Sequence, residues 1–458
     1  MNENSLLRNT ISLRKHYLYS ETGAIMETKL RRISKISQEN PKEVFTSIGH
    51  LLNKEMLEIC HREMDKNKAA GIDGVSKEMY EVNLDENLER LVEALKNKSY
   101  RPQPVKRVHI PKDNGKTRPL GIAVYEDKLV QLALKKILEA VYEPRFRDCM
   151  YGFRPGKSCH DALKSLNAKI QIGSTSYILD ADIEGFFNHI DHELMIEFVE
   201  VRVKDPNIIR LIKRLLKAGI TENGEYKKTE EGTEQGSGCS PILANIFMHY
   251  VLVLWFYKIA KPQFKGYCEI VVYADDFVCC FQHKNEAEQF YEMIKERFGK
   301  CGLKLEESKS RLIEFGRYAE ANRKRRSEGK PETFDFLGFT HYCSKSRNGF
   351  FRVKRKTSKK KFRAKLKLFT EWVKENRTLR KKDLIEKLNV KLAGYYRYYG
   401  ITDNFKAMDR FRRKVERAVY VWLNRRSQRK SYTWKRFYDM LKYYPIMRPK
   451  IYVSIYEI

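Results

Sequence analysis

The chain has 458 residues, 42% of them hydrophobic, and a formal charge of +31. Such a length allows two or three domains with real cores, and such a charge calls for a polyanionic companion, with nucleic acid the leading candidate. The apolar stretch 242–259 is broken by Asn245, His249 and Lys258, no apolar segment opens the chain, and the nine cysteines contain no Cys-x-x-Cys pair, so a membrane span, secretion and a zinc site of common spacing are not expected.

Residues 1–40 are polar and mixed in charge and read as a loosely ordered leader with helical turns. Residues 42–68 carry Ile48, Leu51, Leu52, Met56, Leu57 and Cys60 at helical spacing, until Gly71-Ile72-Asp73-Gly74 interrupts. A second helix is predicted over 80–98. Residues 107–122 read as a hairpin turning at Asp113-Asn114-Gly115-Lys116. An amphipathic helix follows over 126–142, then a short strand over 177–182 and helices over 193–201 and 206–218. A long apolar helix is predicted over 240–258. Residues 269–281 form the pattern apolar strand, two carboxylates, apolar strand. A helix over 285–301, a strand pair over 303–315 and a strand over 334–342 come next, the last opening a hairpin through Asn348-Gly349. From residue 355 to 458, 31 lysines and arginines face only 9 acidic residues, with 19 aromatic residues interleaved.

The carboxylates carry the chemistry. Asp180 and Asp182 end one apolar strand; Asp275 and Asp276 end another. A buried strand tolerates neighbouring carboxylates only when something compensates them. A divalent cation such as magnesium suits hard oxygen ligands, and two such strands side by side would form a two-metal clamp. Taken alone, Asp-Asp between strands is more often a plain hairpin turn. The residues around it decide the matter.

Tyr273-Ala274-Asp275-Asp276 resembles the palm motif of reverse transcriptases, and Asp182-Ile183-Glu184-Gly185-Phe186-Phe187 resembles the motif that supplies the partner aspartate. Gln235-Gly236-Ser237-Gly238-Cys239-Ser240-Pro241-Ile242-Leu243-Ala244-Asn245 resembles the template–nucleotide motif between them. Ala70-Gly71-Ile72-Asp73-Gly74, Arg118-Pro119-Leu120-Gly121-Ile122, Tyr151-Gly152-Phe153-Arg154-Pro155-Gly156 and Phe336-Leu337-Gly338-Phe339 are similar to further motifs of group II intron-encoded enzymes, in family order. Lys391-Leu392-Ala393-Gly394-Tyr395-Tyr396-Arg397-Tyr398-Tyr399-Gly400 resembles the thumb, or maturase, region of the same family. The resemblance covers all but about the first 40 residues.

It implies an α/β right-hand polymerase: fingers and a palm with an antiparallel catalytic sheet over 41–354, a helical thumb over 355–410, and a basic RNA/DNA-binding segment over 411–458. By the same resemblance Asp182, Asp275 and Asp276 are catalytic. They would hold two magnesium ions, or manganese in their place, together with the carbonyl of Ile183. Asp180 is the rival of Asp182 on the same strand face; the alignment of Gly185-Phe186-Phe187 favours Asp182. Phe187 is implied to be the gate that rejects a ribose 2′-hydroxyl. Lys112 and Arg118 would clamp a dNTP triphosphate, Gln235 and Gly236 would face the nucleotide and template, and Lys309 would steady pyrophosphate. Tyr395, Tyr396, Tyr398 and Tyr399 read either as thumb packing or as base-stacking groups. Glu234 stands where the family commonly has proline, and Ser237-Gly238 follow Gly236; a charge there could tune activity. The implied partners are an RNA template, group II intron RNA above all, and a DNA primer or target, in a bacterial cytoplasm. With no paired-cysteine endonuclease region after the thumb, second-strand cleavage is not expected. Alternatives are a relative domesticated in phage defence or CRISPR adaptation, and an RNA-folding maturase with little polymerase activity.

Overall fold

The computed structural model describes residues 23–111, 117–426 and 431–456. Residues 23–39 form helix α1, which buries Met26 and Ile33. Met26, Leu30 and Ile33 give it a narrow apolar stripe among many charges. The second half of the expected loose leader is thus a docked helix; residues 1–22 lie outside the described residues. The helix expected over 42–68 is confined to α2 (Lys54–Glu63). Asn53 caps it by accepting from Met56 N at 3.0 Å, and the Asp205 carboxylate holds the preceding Ile48 and Gly49 amides at 2.7 Å each. The helix expected over 80–98 is two, α3 (Lys77–Glu81) and α4 (Leu84–Lys96).

Strands β1 (Val105–Pro111) and β2 (Thr117–Ile122) form the expected hairpin, whose turn lies outside the described residues. Helices α5 (Tyr125–Tyr142) and α6 (Cys159–Gln171) precede β3 (Tyr177–Ala181). Then come α7 (His192–Glu200), α8 (Pro206–Leu216) and a small hairpin, β4 (Ile220–Glu222) and β5 (Glu225–Lys227). The fingers sheet has the order β2-β1-β4-β5, with β4 parallel to β1.

Helix α9 (Ser240–Met248) runs on through wider π-helical turns and a 3₁₀ turn to Gln263. The stretch Ser240–Gln263 is long and apolar enough to cross a membrane, but two thirds of it is buried inside the protein. It is a core helix of the fold, packed beneath the palm sheet. Strands β6 (Cys268–Tyr273) and β7 (Asp276–Phe281) follow, then α10 (Lys284–Lys300) and β8 (Arg311–Glu314). The expected pair over 303–315 is one strand, since Leu305 contributes only a single bridge to Ile183. The palm sheet has the order β6-β7-β3-β8, with β7 antiparallel to β6 and β3 and β8 antiparallel to β3. Along β7, Phe277, Cys279 and Phe281 enter one hydrophobic core with α5, α9 and α10; Val278 and Cys280 enter a second core shared with α6 and the C-terminal helices. Burial on both faces explains why these strands read as continuous apolar runs.

After α11 (Ala319–Arg325) comes a three-stranded sheet, β9 (Phe334–Phe336), β10 (Phe339–Lys345) and β11 (Phe351–Thr357). The strand expected over 334–342 is broken because Leu337 and Gly338 both take positive φ, 47° and 78°, and turn the chain in two residues. Helices α12 (Lys359–Glu375), α13 (Lys381–Tyr399), α14 (Phe405–Leu423) and α15 (Trp434–Tyr443) complete the thumb region. The boundary expected near residue 410 falls inside α14, which packs along α12.

Candidate active site

The aspartate hairpin is tight. Tyr273 pairs with Asp276, so Ala274 and Asp275 alone make the turn. Ala274 sits at φ +57°, a left-handed conformation that costs a residue with a side chain about 1–3 kcal/mol. The Tyr151-Gly152 motif holds it there. Tyr151 N donates to Val272 O at 2.9 Å and Val272 N donates to Cys149 O at 2.8 Å. Gly152 then lies directly on the turn: a Cβ at Gly152 would overlap the Ala274 nitrogen and come within 2.9 Å of the Tyr273 carbonyl carbon. Asn245 on α9 fixes the same loop by donating to Gly152 O at 2.8 Å. Arg154 braces it from behind, paired with Glu143 at 2.8 Å and donating to the Arg147 and Met150 carbonyls.

Strand β3 brings the third aspartate. Ala181 pairs with Phe277, which puts Asp182 level with Asp276. Beyond the strand, Glu306 N donates to Asp182 O and Glu184 N to Lys304 O, at 2.8 and 2.9 Å. Those bonds lie on one edge of the chain. The Ile183 carbonyl therefore faces the opposite edge, toward the start of β7. Asp180, the rival carboxylate, faces Arg311 across the β3–β8 pair at 3.6 Å. Asp182 instead meets Lys309, whose Nζ lies 2.6 Å from Oδ2; this hydrogen bond raises the Lys309 pKa.

The cleft strains its own charges. Asp276 is open at the surface yet surrounded by protein. That enclosure, followed by the charges of Asp275, Asp182 and Asp180, pushes its carboxyl up to about 7. Burial also raises Asp275; its own amide and the Arg118 guanidinium oppose the rise, and Asp182 adds to it. Among the described residues no three acidic, histidine or cysteine side chains form a ready-made metal cluster. The donor set is nonetheless three carboxylates around one cleft, with Lys309, Arg118 and Lys361 the cations that act on them, and hard oxygen donors of this kind suit magnesium.

Phe187, Gln235 and Gly236 are tied through backbone contacts to one loop and to β2. Phe186 is buried and Phe187 half-buried, ring centroids 5.3 Å apart and edge to face. Thr233 N donates to Phe187 O at 2.7 Å, which ties Phe187 to the loop carrying Gln235. The Gln235 carbonyl accepts from Gly121 N at 2.7 Å, and its side-chain Oε1 is buried with no hydrogen-bond partner among the described residues. Gly236 takes φ +107° and passes so close to Gly121 O that a Cβ would sit 2.7 Å from it. Arg118 lies on β2 above this loop; Lys112 lies outside the described residues. Glu234, the departure from the family pattern, pairs with Arg107 on β1 at 3.3 Å, and burial raises its pKa. Its charge thus belongs to the fingers–palm contact. Gln131, whose Oε1 accepts from Gly238 N at 2.8 Å, is not singled out by the sequence; Asn245 is, as the end of the template–nucleotide motif, but not its bond to Gly152. The available signal was an amide on an otherwise apolar helix face.

On the thumb side, a cavity of about 710 Å³ runs from Asp276 past Leu337 and Gly338 to Lys361, Trp372 and Lys391. Tyr395, Tyr396 and Tyr399 are buried in the thumb core, with Tyr395 stacked on Phe411 at 4.0 Å. Tyr398, 36% exposed, donates to Leu337 O at 2.9 Å. Packing, not base stacking, accounts for the buried three.

A carboxylate cleft at the end of an antiparallel sheet, roofed by a fingers sheet and walled by basic helices, defines a template-directed polymerase palm. Residues 110–341, just over half of the chain, match the family described as reverse transcriptase (RNA-dependent DNA polymerase), and residues 359–440 match the group II intron, maturase-specific domain. The chain belongs to the reverse transcriptase family and carries the group II intron maturase domain behind it. It is similar to the group II intron-encoded protein LtrA of Lactococcus lactis subsp. cremoris, 42% identical over 222 residues, which is 48% of this chain and 37% of LtrA. It is also similar to protein YkfC of Escherichia coli K12, 35% identical over 182 residues, 39% of this chain and 48% of YkfC. A 91 kDa protein in the cob intron of Schizosaccharomyces pombe is 36% identical over 224 residues, 48% of this chain and 28% of that protein. The match thus spans less than half the length of each of these relatives.

Proposed function

We propose that this protein copies RNA into DNA from dNTPs, and that it binds group II intron RNA to assist splicing and the return of the intron to a DNA target in a bacterial cytoplasm. The observation that carries the polymerase reading is the convergence of Asp182 from β3 with Asp275 and Asp276 from the β6–β7 turn. Asp182, Asp275, Asp276 and the Ile183 carbonyl would hold two magnesium ions, with manganese as a substitute. Bound there, the ions would supply Lewis acidity at a primer 3′-hydroxyl and at departing pyrophosphate.

The chain's own groups do the rest. Phe187 excludes a 2′-hydroxyl by bulk. Arg118 and Lys112 hold the triphosphate with charge. Gln235, whose Oε1 is left without a partner among the described residues, and the bare backbone of Gly236 face the nascent base pair, where a side chain at Gly236 would intrude. Lys309 neutralises Asp182 and supports pyrophosphate on its way out. The cavity beside Asp276, with lysines on α12 and α13, leads the template–primer duplex toward the thumb. The basic helices give RNA affinity through phosphates.

The test is primer extension: dTTP incorporation on poly(rA)/oligo(dT) with magnesium, beside binding of a group II intron RNA. Magnesium-dependent extension is expected. No incorporation on this template with magnesium or manganese would overturn the polymerase reading.

A further inference from the structure

The thumb tyrosines singled out in the sequence are mostly buried, but α15 presents exposed rings side by side. Tyr420 of α14 stacks on Trp434 with ring centroids 3.8 Å apart and planes 12° from parallel. Trp434 in turn stacks on Tyr438, at 5.8 Å and 28°. These three rings form one ladder, with Trp434 42% and Tyr438 51% exposed. The ladder is held from below: Phe437 is fully buried and meets Tyr420 and Trp434 edge to face. Thr433 caps the helix by accepting from Arg436 N at 3.3 Å.

The charge around it is positive. Lys435, next to Trp434 on the helix, is exposed, and its charge reaches Asp439. The one carboxylate on the helix, Asp439, is taken by Lys442 at 2.8 Å. Both rings touch the buried Phe437 with one side and leave the other to solvent. A stack that ends in a half-exposed ring offers a flat surface on which another ring can continue.

We infer that Trp434 and Tyr438 are a stacking platform for an unpaired RNA base, whose flanking phosphate meets Lys435. The inference rests on reading the chain as an RNA-binding reverse transcriptase, and it places one contact of that RNA. A duplex hides its base faces, so the platform selects single-stranded segments.

The test is binding of a short fluorescent oligo(A) to the full chain at fixed salt. Tyr438→Ala should weaken it by about five- to a hundredfold, the range of one lost base–aromatic stack. Tyr438→Phe should keep wild-type affinity, because the ring and not the hydroxyl does the stacking. Affinity for fully duplex RNA should not change, and neither should the steepness of the salt dependence. Equal oligo(A) affinity in Tyr438→Ala and wild type would overturn the inference. So would an equal loss on duplex RNA, or a loss confined to oligo(dA). If the alanine variant unfolds, Tyr438→Leu against Tyr438→Phe gives the same contrast. Failure of the polymerase reading would show separately, as absent primer extension by the wild type.

Discussion

Gly152→Ala should damage the active site without touching a catalytic group. The new methyl would overlap the Ala274 nitrogen and press on the Tyr273 carbonyl carbon. Both are backbone atoms at the entry to a two-residue turn whose Ala274 is already held at positive φ. The turn cannot yield by a side-chain rotation, and Asn245 anchors Gly152 from the other side. Overpacking of this sort costs about 1–3 kcal/mol of stability. The larger effect is on chemistry, since a displacement of about 1 Å at the reacting groups can cost on the order of a hundredfold in rate. Steady-state dTTP incorporation on poly(rA)/oligo(dT) measures the rate, and thermal denaturation measures the stability. Gly299→Ala on α10 is the control, because nothing lies within 4 Å of its Cβ position. Expected are a rate loss of about tenfold or more for Gly152→Ala and none for Gly299→Ala. Full activity in Gly152→Ala would show that the loop does not set the position of the aspartates.

Phe187→Ala should admit ribonucleotides: rUTP incorporation relative to dTTP should rise about tenfold or more, and unchanged sugar discrimination would remove the gate. Asp276→Asn should raise the melting temperature of the magnesium-free protein at pH 8 but not at pH 4. The native Asp276 carboxyl is pushed up to about 7, so the folded state binds this proton more tightly than the unfolded state does. Stability is therefore lost as pH rises from ~4 to ~7, and a melting shift equal at both pH values would contradict this origin. Tyr396→Ala should cost about 3–5 kcal/mol in urea denaturation, because the ring is fully buried and its hydroxyl donates to Met447 O at 3.2 Å; a loss below about 1 kcal/mol would return Tyr396 to the surface.

The sequence was most legible where pattern and chemistry agreed. The hairpin over 269–281 shows as two apolar runs around Asp275-Asp276, and β6 and β7 lie where expected. The partner strand ending at Asp182 was equally plain. Less legible were features decided by tertiary contact. Helix α1 hides a three-residue stripe among charges, too short a pattern to set its bounds. Asn223-Gly224 in the β4–β5 hairpin is a turn signal, but the flanking strands are three residues each and largely polar. The positive φ of Leu337, which splits one expected strand into two, leaves no mark in the residue type. Glu234 looked like a charge at the nucleotide pocket. Its partner, Arg107, lies 127 residues away, and no local pattern could pair them. The thumb tyrosines kept both of their readings until burial separated them.

The central claim is that Asp182, Asp275 and Asp276 make one nucleotidyl-transfer site. Asp275→Asn tests it most directly, because the substitution keeps the shape of the turn and removes one charge. With magnesium and poly(rA)/oligo(dT), the wild type should extend the primer, and Asp275→Asn should show no extension above background while its melting temperature stays at or above that of the wild type. Extension by Asp275→Asn at the wild-type rate would contradict the account.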